Sequence, residues 1–264
     1  MALKLKAVID MMEEFAPSEL MENYDNVGLM VGDKDSEVGG ILVALDCTLK
    51  VIDEAIQRDC NLIITHHPLL FRKPKNITTD TLQGKKIIKL IQNNINLYSS
   101  HTNLDSTPGG VNEIMAKILG FNKYELVESS AIYPEAGFGR IMEFKKKLTF
   151  LEIIKMVKEK LNIKELRYCG EEDKLISKIA ILNGSGQDFI AQAIKKGAEC
   201  IITGDTTYHY VSDYNEEGLC IIDAGHFDTE WPAMKEVAEI IQNKFNNQVK
   251  VSLSEVCMSP YKYK

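Results

Sequence analysis

The segment NLIITHHPLLF, residues 61–71, ends a run of strand-forming residues on two adjacent histidines, His66 and His67. Imidazoles at a strand end are either incidental polar groups or ligands and proton carriers facing a shared metal or substrate site. The chain has five histidines, and the other three lie in similar settings. His101 follows the apolar run INLYSS, His226 follows LCIIDAG, and His209 sits just beyond IITGD. His101 and His226 each carry a carboxylate four residues on, Asp105 and Glu230. Loops beyond the carboxyl ends of parallel strands are where α/β sheets bind ligands. Histidines gathered there, with Asp105, Asp205 and Glu230 beside them, point to a metal centre. Imidazoles mixed with carboxylates and no thiolate suit zinc, iron, manganese or cobalt. Successive strand residues face opposite ways, so an extended His66–His67 pair would serve two ions rather than chelate one, the chain turning at Pro68. Ligands shared between two ions leave coordination positions for water, as a catalytic site requires. The pattern HExxH is absent, which excludes a helix-borne metalloprotease site. Gly184, Ser185 and Gly186 in NGSGQDF read either as a tight turn or as a cradle that holds a phosphate on backbone N–H groups.

The elements that must position these residues alternate. Leu5, Val8, Ile9, Met12 and Phe15 fall at helical spacing, and Pro17 stops that helix. A polar loop leads into ILVALD, a continuous apolar run typical of a strand buried on both faces. A helix over 48–59, the strand NLIIT, a helix near 82–93 and the strand INLYSS follow. The second half repeats the pattern. KIAILNGSGQDFIAQAIKKGAECIITGD lies on ILVALDCTLKVIDEAIQRDCNLIITHH without a gap, bringing Ala55 onto Ala193, Ile56 onto Ile194 and Thr65 onto Thr203. The two His-x-x-x-carboxylate motifs continue the repeat once a loop opposite RKPKNITTDTLQGKK is omitted from the second half. Between the halves, GFGRIMEF reads as a strand and TFLEIIKMVKEKLNI as a helix opened by a Thr149–Glu152 capping box. Pro232 suits the first turn of a helix through Phe245, and VKVSLSEV alternates like a half-exposed strand. The expected fold is α/β: two related halves from an internal duplication, with mostly parallel sheets and flanking helices.

Composition narrows the function classes. A 264-residue chain that is 45% hydrophobic and 26% charged is long enough for two cores. A net charge of −7 argues against general nucleic-acid binding but not against a small anionic or nucleotide substrate held by a metal ion. The six cysteines form no CxxC pair, and several lie in apolar runs, which reads as reduced thiols of a cytoplasmic protein. The N-terminal segment interleaves charges with its apolar residues, unlike a signal peptide, and no apolar run reaches the ~20 residues of a membrane span.

The motifs YDNVGLMVGD, THHPLLF, HTNLD, GSG, TGDTTYH and GHFDTEW occur in this order along essentially the whole chain. In that order they resemble the Nif-three-like dinuclear metal family, the GTP cyclohydrolase 1 type 2 homologues. The resemblance implies two related α/β domains in a toroidal homohexamer, with metal sites facing the interior and, in longer members, an extra domain inserted mid-chain. Residues 1–125 plus 219–264 would form the first domain, carrying His66, His67 and Asp105. Residues 126–218 would form the second, with the metal site between the halves. Matched position by position, two divalent ions per chain fall to His66, His67, Asp105, His226 and Glu230, with Glu230 bridging. His101 and His209 take catalytic roles around them, and Gly184, Ser185 and Gly186 become the triphosphate site. The implied activity is hydrolysis of GTP at C8 of the guanine ring with a histidine carrying the proton. The alternative is a non-catalytic metal-binding regulatory or scaffold hexamer.

Overall fold

The computed structural model of the chain describes residues 2–262, and of Asn247 the backbone alone. It divides into two compact units, Met1–Leu104 with Met234–Met258, and Asp105–Ala233 with Ser259–Lys264. The first unit opens with α1 (Leu5–Phe15), β1 (Gly28–Val31), β2 (Gly40–Ala44), α2 (Leu49–Gln57), β3 (Leu62–Thr65), α3 (Leu82–Gln92) and β4 (Asn96–Ser99). The boundary falls inside the short α4 (Thr102–Ser106). The second unit continues through α5 (Val111–Ile118), β5 (Glu125–Ser129), β6 (Gly137–Thr149), α6 (Phe150–Leu161), β7 (Arg167–Cys169) and β8 (Leu175–Leu182). It then adds α7 (Ile190–Lys195), β9 (Cys200–Thr203), α8 (Tyr208–Glu216), β10 (Cys220–Asp223) and the start of α9 (His226–Phe245). The remainder of α9 and β11 (Lys250–Leu253) return to the first unit.

The first unit's sheet has the order β1-β4-β3-β2-β11. β11, β2, β3 and β4 run parallel, and β1 closes one edge antiparallel to β4. Every residue of β2, β3 and β4 is buried, as strands covered on both faces should be. Each buried Leu, Ile or Val there contributes about 1.5–3 kcal/mol of apolar transfer. The flanking helices are fixed locally. Thr48 Oγ1 caps α2 by accepting from Val51 N at 3.1 Å, and Thr81 Oγ1 caps α3 by accepting from Gly84 N at 3.0 Å.

The second unit's sheet has the order β5-β6-β8-β9-β10-β7. Only β8, β9 and β10 are parallel; β5, β6 and β7 pair antiparallel. The expectation of mostly parallel sheets therefore holds for the first sheet and fails for the second, which is mixed. Of the antiparallel pairs only β5–β6 is a hairpin, closed by a connection too short for a parallel crossover; β6 and β8 are joined through α6, and β7 reaches β10 from far along the chain, so tertiary packing sets their direction. The Thr149–Glu152 capping box forms as expected, with Thr149 N donating to Glu152 Oε2 at 2.7 Å and Glu152 N to Thr149 Oγ1 at 3.3 Å.

The strand registers are those an internal duplication gives. Ile41 pairs with Leu62 as Ile179 pairs with Cys200, and Ala44 with Thr65 as Leu182 with Thr203. The segment missing from the second half also lies where expected: residues 66–81 join β3 to α3, whereas residues 204–207 join β9 to α8. Three expectations are corrected. Residues 105–125, 219–233 and the segment from Ser259 fall in the second unit, the stretch 219–233 because β10 adds to its sheet through β9 and β7. The polar loop after α1 contains the edge strand β1. Helix α9 begins at His226, so Pro232 lies inside it and offers no N–H to the carbonyl of Asp228. All six cysteines are free thiols, and among the described residues no helix is long and apolar enough to cross a membrane.

Candidate metal centre

In the first unit β3 ends at Thr65, so His66 and His67 stand beyond the strand. The alternation that would have sent their rings to opposite faces does not apply, and the ring centroids are 5.2 Å apart. The His101 ring joins them at 5.1 Å from His66 and 5.6 Å from His67. Ligating atoms of these three side chains all lie within 4.8 Å of one another, so the cluster could hold a metal ion. His66 is fully buried, His67 and His101 partly so.

Each of these imidazoles is anchored through the same nitrogen. His66 Nδ1 lies 2.9 Å from the Ser100 carbonyl, His67 Nδ1 2.9 Å from Asp46 Oδ1, and His101 Nδ1 2.8 Å from Asp25 Oδ1. A carbonyl or carboxylate oxygen only accepts, so Nδ1 carries a proton and Nε2 is the nitrogen left to face a ligand. Asp25 is itself tightly held. It also accepts from Thr102 N at 3.1 Å and Thr102 Oγ1 at 2.5 Å. Burial pushes the Asp25 carboxyl up, but the His101 ring, the Thr102 hydroxyl and the Asn26 N–H outweigh it and hold it well below the usual carboxylate range.

The second unit repeats the device. His226 and Glu230 are four residues apart on α9 and therefore share a face, with Nε2 and Oε2 3.0 Å apart. His226 Nδ1 lies 2.9 Å from Asp205 Oδ2. Glu230 is buried, and so is Asp105, whose Oδ1 accepts from Asn183 Nδ2 at 2.9 Å while its carbonyl accepts from Asn112 Nδ2 at 3.1 Å. The two motifs are out of step by one residue. The strand registers set Ser99 of β4 in the place of Asp223 of β10, each opposite the threonine that ends its neighbour. His226 then opens α9, whereas His101 sits one residue before α4.

The Gly184–Gly186 turn does something the sequence did not indicate. Gly184 has φ +57°, and a Cβ there would stand 2.0 Å from Glu230 Oε1. Its N–H donates to Thr229 Oγ1 at 3.0 Å, and its carbonyl accepts from Gly204 N at 2.8 Å. The glycine thus lets the Glu230 carboxylate close over the loop, and Ser185 is the exposed residue of the three. Gly184→Ala should weaken metal affinity by displacing that carboxylate, while the strained φ costs only about 1–3 kcal/mol of stability. Metal titration beside a thermal melt checks this; wild-type affinity in the alanine variant would refute the positioning role.

His209 lies on α8, exposed, with its ring against Tyr208 at 5.4 Å. The groups that sequence reasoning passed over are the anchors. Asp25 lay in YDNVGLMVGD and Asn183 in NGSG without a role. Asp46 carried a signal: β2 and β3 are neighbouring parallel strands, so residues just past their ends meet.

A first α/β unit with three imidazoles anchored through Nδ1, and a second with one anchored imidazole, His226, beside the buried Glu230, define a protein with candidate metal-holding side chains. The sequence profile of the Duf34/NIF3 (NGG1p interacting factor 3) family matches residues 3–260. The chain belongs to that family. It is 52% identical over 268 residues to a Clostridium acetobutylicum protein named GTP cyclohydrolase 1 type 2 homolog, covering 100% of both. A Staphylococcus aureus protein of the same name is 27% identical over 369 aligned positions, so this chain lacks a long insertion that the relative carries. The crystal structure of a Bacillus cereus protein related to NIF3 superposes with a TM-score of 0.93 at 26% identity, covering 100% of each chain.

Proposed function

We propose that this protein is a metal-dependent hydrolase of a purine nucleotide, of the kind the relatives' name describes, acting in the cytoplasm as a homohexamer. Two divalent ions per chain are held by His66, His67, Asp105, His226 and Glu230. The observation that carries this reading is the common anchoring of His66, His67, His101 and His226 through Nδ1. Ligand histidines are fixed in this way, since the outer hydrogen bond sets both tautomer and ring orientation. The donor set of imidazoles and carboxylates fits zinc, iron, manganese or cobalt, which when bound supply the Lewis acidity that makes water a nucleophile near neutral pH.

The chain's own residues do the rest. His101, held by Asp25, carries the proton in preference to His209, which sits exposed on α8. Asn183 and Asn112 fix the Asp105 side chain and backbone, and Gly184 admits Glu230. Ser185, exposed at the loop, meets the phosphates; the Gly184 N–H is engaged by Thr229.

Metal analysis of untagged protein, followed on the same sample by GTP turnover with and without chelator, tests the reading. Two ions per chain and chelator-sensitive turnover are expected. Two ions without turnover on GTP or other purine nucleotides would replace the hydrolase with a regulatory or scaffold hexamer, and no metal would remove the site.

A further inference from the structure

The second unit contains a cavity of about 260 Å³ that shares no residue with the proposed ligand set. It opens beyond the carboxyl ends of β9 and β10, the ligand-binding end of parallel strands. Cys169, Val211 and Ile221 give it an apolar floor. Its polar wall is built around Asp223, which is buried. Asp223 Oδ2 accepts from Thr206 N at 3.1 Å, Thr206 Oγ1 at 2.6 Å and the Arg167 guanidinium, and Oδ1 accepts from Gly225 N at 3.1 Å. The carboxylate is thereby saturated, and its work is to hold Arg167. The Arg167 side chain, 70% exposed and lining the cavity, bonds Asp223 through Nη2, which leaves further N–H donors of its planar fork for a ligand. Tyr208, 79% exposed at the start of α8, also lines the cavity. Tyr168 contributes backbone rather than ring: its ring meets Phe150 at 5.9 Å and its hydroxyl bonds Glu172.

We propose that this cavity binds the base of a 6-oxopurine nucleotide, with one ring face on Tyr208 and the O6/N7 edge on Arg167. An apolar floor, one exposed aromatic face and a fixed fork of donors select a flat ring with two adjacent acceptors on one edge. The volume suits a ring system, whereas pockets for whole drug-sized ligands run from about 300 to 1,000 Å³. Adenine would set its amino group against the guanidinium and be disfavoured. The choice of a purine rests on the nucleotide reading above; the cavity and its polarity do not. The site is also tied to the candidate metal centre, because Thr206 is adjacent in sequence to Asp205, which anchors His226.

Calorimetric titration of the full metal-loaded chain with inosine and with adenosine tests the proposal, since neither carries a phosphate for the metal centre to hold. Inosine should bind roughly 5- to 100-fold tighter than adenosine. Arg167→Met should abolish that preference, and Arg167→Lys should not restore it, because a point charge lacks the fork. Tyr208→Ala should weaken both nucleosides by roughly 5- to 100-fold. Metal content should stay at the wild-type value in all three variants. Equal affinity for the two nucleosides, no measurable binding of either, or binding indifferent to Arg167→Met and Tyr208→Ala would each overturn the proposal. None of those results touches the hydrolase reading, which stands or falls on chelator-sensitive GTP turnover.

Discussion

Alanine at His67 or at Glu230 should lower bound metal sharply, with affinity reduced more than about 100-fold, whereas Asp46→Asn or Asp205→Asn should lower it by only about 10- to 100-fold. The ordering follows from what each group touches. His67 and Glu230 are assigned as ligands, and their loss removes a donor atom from the coordination sphere. Asp46 and Asp205 accept from the Nδ1 of His67 and His226 at 2.9 Å, so their loss frees a ring to rotate and to change tautomer but leaves the donor in place. At saturating zinc the asparagine variants should therefore regain wild-type stoichiometry, and the alanine variants should not. Competition titration with a metal-binding dye, with total metal by mass spectrometry, reads both quantities. Two ions per chain retained in His67→Ala and Glu230→Ala would defeat the ligand assignment outright. Asparagine variants as damaged as the alanine ones would mean that the aspartates are themselves ligands.

The largest stability effect should come from the ion pair buried in the second unit. Arg140 is fully buried, donating through Nη1 to the carbonyls of Gly137 at 2.7 Å and Gly139 at 2.9 Å, and through Nη2 to Glu113 Oε1 at 3.0 Å. Glu113 Oε2 in turn accepts from Tyr124 Oη at 2.7 Å and Gly109 N at 2.8 Å. Removing one charge leaves the other buried and uncompensated, so Glu113→Gln should cost about 3–5 kcal/mol. At roughly 2–4 °C per kcal/mol for a unit of this size, the melting temperature should fall by roughly 6–20 °C. The double variant Glu113→Gln/Arg140→Met should be more stable than Glu113→Gln alone, because it removes the stranded guanidinium while the glutamine still accepts a hydrogen bond. A double variant worse than either single one would show that the pair is held by packing rather than charge.

The pH dependence has a definite sign. Burial alone would raise the Glu113 pKa, but the Tyr124 hydroxyl, the Gly109 N–H and the Arg140 charge outweigh it and hold the carboxyl below 4.5. A depressed folded pKa gives stability that is complete above the unfolded value and lost as pH falls through the folded one. Melts of chelator-treated protein should therefore drop below about pH 4.5 in the wild type, with that component absent from Glu113→Gln.

Local rules carried far in this chain. The apolar runs around Leu42, Ile63 and Ile201 became parallel strands, the Thr149–Glu152 box opened α6, and the gap-free repeat reappeared as matching strand registers. The histidines and carboxylates at strand ends were legible for the same reason: β3, β4, β9 and β10 point their carboxyl ends at the loops that hold them. What the sequence did not determine depends on contacts distant along the chain. The second sheet is mixed because β6 pairs antiparallel with β8, a choice made by tertiary packing rather than by the composition of either strand. Asp25 reaches His101 across 76 positions and Asn183 reaches Asp105 across 78, so no periodicity or short motif encodes either pair. Residue types and short-range spacing thus named the histidines and carboxylates. Only the folded chain decided which nitrogen of each imidazole is turned outward, and that the glycine at 184 is there to let the carboxylate of Glu230 come close.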